Sequence, residues 1–441
     1  MKILLVSVFF YPQNAIATLR VGQWAKYWSE QGHDVTVLTT QKYPFMVNCD
    51  YNYILPNRIK IVEVPYLPRY FRTTKSSIPT PQEGSTRLNE SHIIARIKRS
   101  TKTLRTMLGA FFDIYTLWIF PAKRAGTVLV STEKFDLIIS SFSPSAAHIV
   151  ASYLKKKAQH SIWIADYRDL WTDNHLSRAS WVFRKIGEAI EKKVIAKADI
   201  LTTVSHPLAK ILQDKFPNIP TYTIENGFDS QEFPKWKETL KHQVLQIHFP
   251  IIISYTGTIY PGKRDPEPLF KAISELIQEG DITTAQIQVH FFGNNLYEVN
   301  KILKKTPIYT PFVTLFGMRT RQEALQAQKN STLLLFLEWN DPSAKGVLTG
   351  KLFEYLVSGK AILAVGIDYH NSAGELIKKS GTGICCIDKE EIKNILLSII
   401  KTQKINFYNP DIDIIQKYSR EKQALAIINL LDKHKKKNVR I

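Results

Sequence analysis

The chain has 441 residues, with 59 Lys and Arg against 39 Asp and Glu, for a formal charge of +20. A charged fraction of 22% and a hydrophobic fraction of 44% are those of a globular protein that buries large cores in two or three domains, and they exclude a disordered chain or a membrane bundle. The excess of cations points to an anionic partner: nucleic acid, a phospholipid surface or phosphorylated small molecules.

In chain order, residues 2–7 form an apolar run that predicts a buried strand, and 9–17 form a loop holding Pro12 and Asn14. Val21, Trp24, Ala25 and Trp28 recur at helical spacing, Gly32 ends that helix, and 35–39 alternates as a second strand. This is a βαβ unit whose ligand-facing loop follows the first strand. Only Lys2 precedes the first apolar run and no small-residue cleavage site follows it, so no signal peptide is predicted. The stretch 107–122 is interrupted by Asp113, and without about 18 consecutive apolar residues no transmembrane helix is predicted. The expected location is cytoplasmic.

The segment 69–105, with Arg69 and Arg105 at its ends, carries nine basic residues and only Glu83 and Glu90 as acids. From Ser91 onward, Ile93, Ile97, Leu104, Leu108 and Phe111 share a rough helical stripe, with Lys98, Arg99, Lys102 and Arg105 elsewhere on the surface. That pattern suits a helix lying on an anionic membrane, and equally a surface helix packed on its domain.

Residues 135–141 predict another buried strand, and 161–165 a further one running into Asp166, Tyr167, Arg168, Asp169, Leu170 and Trp171. Charged residues at the carboxyl end of a parallel strand lie where open α/β sheets bind ligands, so Asp166, Arg168 and Asp169 are candidate active-site groups, the alternative being an Asp–Arg structural pair. A helix at 185–198 and strands at 200–204 and 222–224 follow, then the Asn226-Gly227 turn and a polar stretch, 231–249, suited to an interdomain connection.

A second α/β run starts with a strand at 251–256, which leads into Gly257, Thr258 and, six residues after that glycine, Lys263. Strands at 286–292 and 312–316 each end in glycine. Residues 333–337 and 361–365 are apolar runs joined by a loop and a short helix, which implies parallel strands with a right-handed crossover. Thr349 is placed to cap that helix, so the amides of Gly350 and Lys351, aided by the helix dipole, would favour a phosphate; Glu354, about one turn on, could accept hydrogen bonds from a ribose. An edge strand at 383–387 and a terminal helix at 418–431 complete the chain. Cys49, Cys385 and Cys386 have neither disulfide-framework nor zinc spacing, and Asp411-x-Asp413 offers too few oxygens for a hard cation, so no metal site is expected.

GVLTGKLFEYLVSGKAILAVG, from Gly346 to Gly366, resembles the nucleotide-binding segment of the retaining glycosyltransferases of family 4. Of the two glutamates that flank seven residues in that family, Glu354 matches the second, and the first falls on Gly346. Relatives place a glycine, an arginine and a lysine around the donor diphosphate; Gly257 and Lys263 keep two of these, and Thr258 stands for the arginine. Asp-x-Arg-Asp-x-Trp at Asp166 to Trp171 resembles a motif of one bacterial surface-polysaccharide branch, where many other members carry a histidine. Asn14 and Arg20 match positions that are frequently polar and basic in relatives, and Asn226 to Asp229 resembles the family's Asn-Gly-x-Asp linker.

The resemblance implies an α/β GT-B fold: two facing, Rossmann-like, doubly wound domains with a cleft between them. Residues 1–228 would form the acceptor-binding domain, with an insertion at about 64–120. Residues 229–415 would bind the nucleotide sugar, and 416–441 would form a helix crossing back to the first domain, with a basic tail. The implied activity moves a sugar from a nucleotide-diphosphate donor, expected to be a UDP-sugar, to an acceptor hydroxyl with retention, in surface-polysaccharide or lipid-linked glycan synthesis. Asp166, Arg168 and Asp169 would orient sugar or acceptor. Gly257, Thr258, Lys263, Gly346, Val347, Leu348, Thr349, Gly350, Lys351 and Glu354 would hold the donor, with Asn14 and Arg20 in the N-terminal loop. No cofactor and no nucleic-acid partner are expected, the acceptor would be a glycan or lipid-linked glycan, and the segment 69–105 would place the protein on the inner face of the plasma membrane. A GT-B-type sugar-nucleotide epimerase and a basic nucleic-acid-binding protein are the alternatives.

Overall fold

The computed structural model describes residues 1–13, 15–43, 55–66, 114–173, 180–241, 247–338, 346 and 348–439. The chain divides into two compact units, Met1–Ile224 with Ala424–Ile441, and Glu225–Gln423.

The first unit is built on seven strands: β1 (Lys2–Val6), β2 (Asp34–Thr40), β3 (Ile59–Val64), β4 (Leu137–Phe142), β5 (Ile162–Tyr167), β6 (Ile200–Thr203) and β7 (Thr221–Thr223). Their order is β3-β2-β1-β4-β5-β6-β7, and every pairing is parallel. Parallel strands joined by helices are covered on both faces, which is why the central ones are apolar at nearly every position. In β1, Leu4 and Val6 enter one core with Ile138, Ala151 and Trp163, while Ile3 and Leu5 enter the other with Trp24, Trp28 and Ile139. That second core also takes Ala424, Ile427 and Leu431 from the final helix, Arg420–Val439, and the indole of Trp28 donates to the Ala424 carbonyl at 2.9 Å. Trp118, in the short turn before the helix Ile119–Thr132, is fully buried against the first core.

The second unit carries six parallel strands: β8 (Ile251–Thr256), β9 (Ile287–Phe292), β10 (Val313–Gly317), β11 (Leu333–Leu337), β12 (Ala361–Val365) and β13 (Gly383–Cys386), in the order β10-β9-β8-β11-β12-β13. The alternation repeats: Leu333, Leu335 and Leu337 face one core, Leu334 and Phe336 the other.

Each sheet is doubly wound, so the chain leaves its first strand in one direction and later returns beside it. The reversal falls between β1 and β4 in one unit and between β8 and β11 in the other. Ligands of open α/β sheets bind outside the carboxyl ends of the strands at such a reversal. No described helix is long and apolar enough to cross a membrane. The basic segment 69–105 lies outside the described residues.

Candidate active site

In the second unit, the loops leaving β8 and β11 carry most of the donor residues expected from sequence. Gly257 follows β8 directly with φ of 141°, a conformation open to glycine, and a Cβ added there would lie 2.8 Å from Cε of Lys351. Across from it, a Cβ on Gly293 would lie 2.1 Å from the Gly257 carbonyl oxygen. At Gly293 the Gly257 backbone fills the space a side chain would need, and at both positions the positive φ strains any residue but glycine.

Lys351 is the second residue of the helix Gly350–Val357. Its Nζ is buried, sits 3.5 Å from the centroid of the Tyr255 ring, and has no hydrogen-bond partner among the described residues. Tyr255, the penultimate residue of β8, meets a second cation at its hydroxyl. Arg264 Nη1 reaches the Tyr255 hydroxyl at 3.4 Å and the Thr258 carbonyl at 3.0 Å, and that same carbonyl accepts from the Tyr255 hydroxyl at 2.8 Å. Arg264 is itself buried, and its Nε lacks a partner. Burial, then the neighbouring Arg264 charge, holds the Lys351 amine well below the ordinary lysine range, against the opposing pull of Glu338 and Glu354. Burial also pushes the Tyr255 phenol up to about 12, so it stays a neutral donor.

Thr349 stands at the N-cap with extended backbone, but its side chain makes no capping bond and its Oγ1 is buried without a partner. The expected side-chain cap is therefore not made. The amides of Gly350 and Lys351 stand in the first turn of this helix, where backbone N–H groups have no intrahelical acceptor. Gly346 has φ of 93°, a left-handed backbone that a residue with a side chain would occupy only under strain. The Leu348 carbonyl accepts from Asn226 at 3.0 Å, tying this loop to the start of the unit. Val347 lies outside the described residues.

Glu354 faces Arg321, which donates to it at 3.0 Å while gripping Glu232 with two bonds of 2.9 and 2.7 Å. Lys263 lies in the turn after β8, partly exposed, one residue before Arg264. Sequence reasoning passed over Arg264, Arg321 and Glu338. Two carried a usable signal: Arg264 adjoins the chosen lysine, and Glu338 directly follows the apolar run of β11, the strand-end position that singled out Asp166.

In the first unit, Asp166 is fully buried near the end of β5 and its oxygens are saturated. Arg20 donates to both, at 3.1 and 2.8 Å, Ser141 to one at 3.0 Å and Thr202 to the other at 2.9 Å. Arg20 continues to the Ile224 carbonyl at 2.7 Å and stacks on Trp24. This geometry assigns Asp166 and Arg20 to holding the sheet end, not to touching a ligand. Arg168 is different. Its Nε donates to Ser141 and its Nη2 to the Ser143 carbonyl, so the ends of β4 and β5 fix it, while Nη1 has no partner among the described residues. Half-buried Asp169 lies beside it. The loop that follows is anchored by buried Glu191, which accepts from Tyr167 at 3.0 Å, from Thr172, and from Lys215 at 2.7 Å. Asn14 lies outside the described residues.

A histidine does stand behind this site, although none lies within the motif. His148 is fully buried, bonded through Nδ1 to Ser140 and packed against Phe142, Tyr167 and Trp171. Burial lowers it to about 3, so it is neutral. Asp411 caps the helix Ile412–Gln416 by accepting from the Ile414 amide at 3.0 Å, which gives it a structural use.

The two doubly wound parallel sheets, with seven and six strands, define a class: the chain has the GT-B fold. It is similar to sucrose-phosphate synthase from Thermosynechococcus elongatus (13% identity, 98% of each chain covered, TM-score 0.59). It is also similar to the catalytic domain of starch synthase IV from Arabidopsis thaliana bound to ADP and acarbose (12% identity, 98% of this chain and 99% of that one, TM-score 0.55). A third such structure is an alpha,alpha-trehalose-phosphate synthase (UDP-forming) from Burkholderia xenovorans in complex with glucose-6-phosphate (9% identity, 98% of this chain and 100% of that one, TM-score 0.62). No family model matches the chain, and no curated protein matches it in sequence.

Proposed function

We propose that this protein is a glycosyltransferase that moves a sugar from a nucleoside-diphosphate donor, a UDP-sugar, to an acceptor hydroxyl. One observation carries the reading: partnerless donors and two buried cations gather at the β8/β11 reversal of the second unit, where a GT-B chain has the chemistry to hold a diphosphate. Breaking the sugar–phosphate bond puts negative charge on the departing diphosphate, and donors already oriented toward it stabilise that change without reorganising. Glu354 would take the ribose, with Arg321 fixing its carboxylate. In the first unit, Arg168 and Asp169 are the groups proposed to orient sugar or acceptor, with Asp166 positioning Arg168 through Ser141. Retention of configuration, and a role in surface-polysaccharide or lipid-linked glycan synthesis, follow from the family 4 resemblance of the segment containing Glu354 and of Asp166 to Trp171.

A lipid-linked acceptor would bring the protein to an anionic bilayer. The first unit offers a suitable face: Trp181 is 72% exposed on the helix Trp181–Ile195, beside exposed Val182 and Ile186 and among Arg184, Lys185, Lys192 and Lys193. Incubation with UDP-sugars, with and without lipid-linked glycans, tests the function. Acceptor-dependent UDP release with a new glycoside is expected; conversion of the donor to an epimer without acceptor would contradict it in favour of an epimerase.

A further inference from the structure

We propose that a cavity among the helices Trp236–Lys241, Arg321–Lys329 and Gly350–Val357 of the second unit is a second ligand site, that it takes a ring-bearing organic anion of the nucleoside monophosphate kind, and that its occupancy weakens nucleotide binding at Glu354. Only the last part rests on the sugar-transfer reading above, which gives Glu354 its ribose.

The cavity measures about 480 Å³, a volume typical of sites that enclose small molecules. Its inner wall is apolar: Phe233, Trp236 and Val357 are buried there, and Leu325 is half-buried. Lys235, Lys329 and Lys360 also line it, and among the described residues none of their ammonium groups has an acid or a hydrogen-bond acceptor. Glu232, the only acid in the lining among the described residues, is already held by Arg321 through bonds of 2.9 and 2.7 Å. Three cations therefore border one space without a counter-charge. Burial lowers the proton affinity of half-buried Lys360, a cost that a bound anion relieves.

The two kinds of lining define the ligand. A polyol would leave hydroxyls unpaired against Phe233, Trp236, Leu325 and Val357, whereas a nucleobase suits apolar and aromatic walls and its phosphate suits the lysines. The cavity also has a route to the donor residues. Lys329 ends the helix that Arg321 begins, roughly 12 Å away along its axis. Arg321 joins cavity-lining Glu232 to Glu354, and Val357 lies on the same helix as Glu354. An anion drawn in by the lysines repels the Glu232 carboxylate and loosens its hold on Arg321. The guanidinium is then left to pair more fully with Glu354, in competition with the ribose. By linkage, each ligand weakens the other by the same factor.

The test uses the full chain at neutral pH, with AMP and UMP as probes and UDP in excess. Titration calorimetry should show one further molecule bound. Lys329→Glu with Lys360→Gln should weaken that binding about tenfold or more, the loss of two charge-assisted contacts, while UDP alone binds as it does to the wild type. Photolabelling with 8-azido-AMP in excess UDP should mark peptides containing Trp236, Lys329 or Lys360. No further binding at millimolar concentration, a double variant within about twofold of wild type, or label confined to residues 257–264 and 346–354 would overturn the site. Bound AMP should weaken UDP about fivefold; an unchanged or higher UDP affinity would overturn the link to Glu354 and leave the site. UDP-sugar turnover without a second site would remove the site and leave the transferase; a labelled cavity in a protein that turns over no donor would leave the site and remove the transferase.

Discussion

The guanidinium of Arg20 and the carboxylate of Asp166 meet through two hydrogen bonds, at 3.1 and 2.8 Å, with both side chains fully buried. They lie on the first helix and at the end of β5, so one ion pair joins distant parts of the first unit. Removing one partner leaves the other charge buried and uncompensated, at a cost of about 3–5 kcal/mol. Asp166→Ala should lower stability to urea by that amount, and Arg20→Met combined with Asp166→Leu should recover part of it. A loss below about 1 kcal/mol for Asp166→Ala would show that the pair is not holding the sheet end.

His148 makes the first unit acid-sensitive. Its folded value of about 3 is depressed from the ordinary 6.5, so the unfolded chain binds a proton in that window and the native chain does not. Stability is therefore intact above pH 6.5 and falls as pH drops, at about 1.4 kcal/mol per pH unit. Between pH 7 and pH 5 the wild type should lose about 2 kcal/mol more than His148→Asn in denaturant titrations. Equal losses would mean that the imidazole is not held neutral.

Glu354 is expected to read the ribose and not the phosphates. In Glu354→Ala, UDP should bind about ten to a hundred times more weakly, the loss of a hydrogen bond to a charged group. Pyrophosphate affinity should not change, and 2′,3′-dideoxy-UDP should bind the variant and the wild type alike. If the dideoxy compound distinguishes them as strongly as UDP does, the carboxylate acts on something other than the sugar hydroxyls.

The exposed face at Trp181 gives the membrane proposal a handle among the described residues. In flotation assays with phosphatidylglycerol vesicles, Trp181→Ser with Ile186→Ser should cut bound protein several-fold, and added salt should weaken what remains. Binding unaffected by both substitutions would exclude this helix as the contact.

Most strands were legible because parallel sheets covered on both faces demand unbroken apolar runs, as in Leu333–Leu337 and Ala361–Val365. The edge strand Ile59–Val64 was not, since half-exposed edges admit Lys60 and Glu63 and blur the pattern. At the site, the helix start after Gly346 was readable from loop chemistry alone. The pairing of Arg20 with Asp166 was not, because the two lie 146 residues apart and only the folded sheet brings them together. Likewise, the sequence marks Lys351 through its amide, and only the fold places its side chain over the Tyr255 ring.

The most direct measurement of the central claim is nucleotide release from a panel of UDP-sugars by the purified full chain, followed with and without lipid-linked glycan acceptors. The expected result is slow UDP formation from one donor, accelerated by an acceptor that gains the sugar. Absence of UDP binding at millimolar concentration, together with no release from any donor under either condition, would contradict the account.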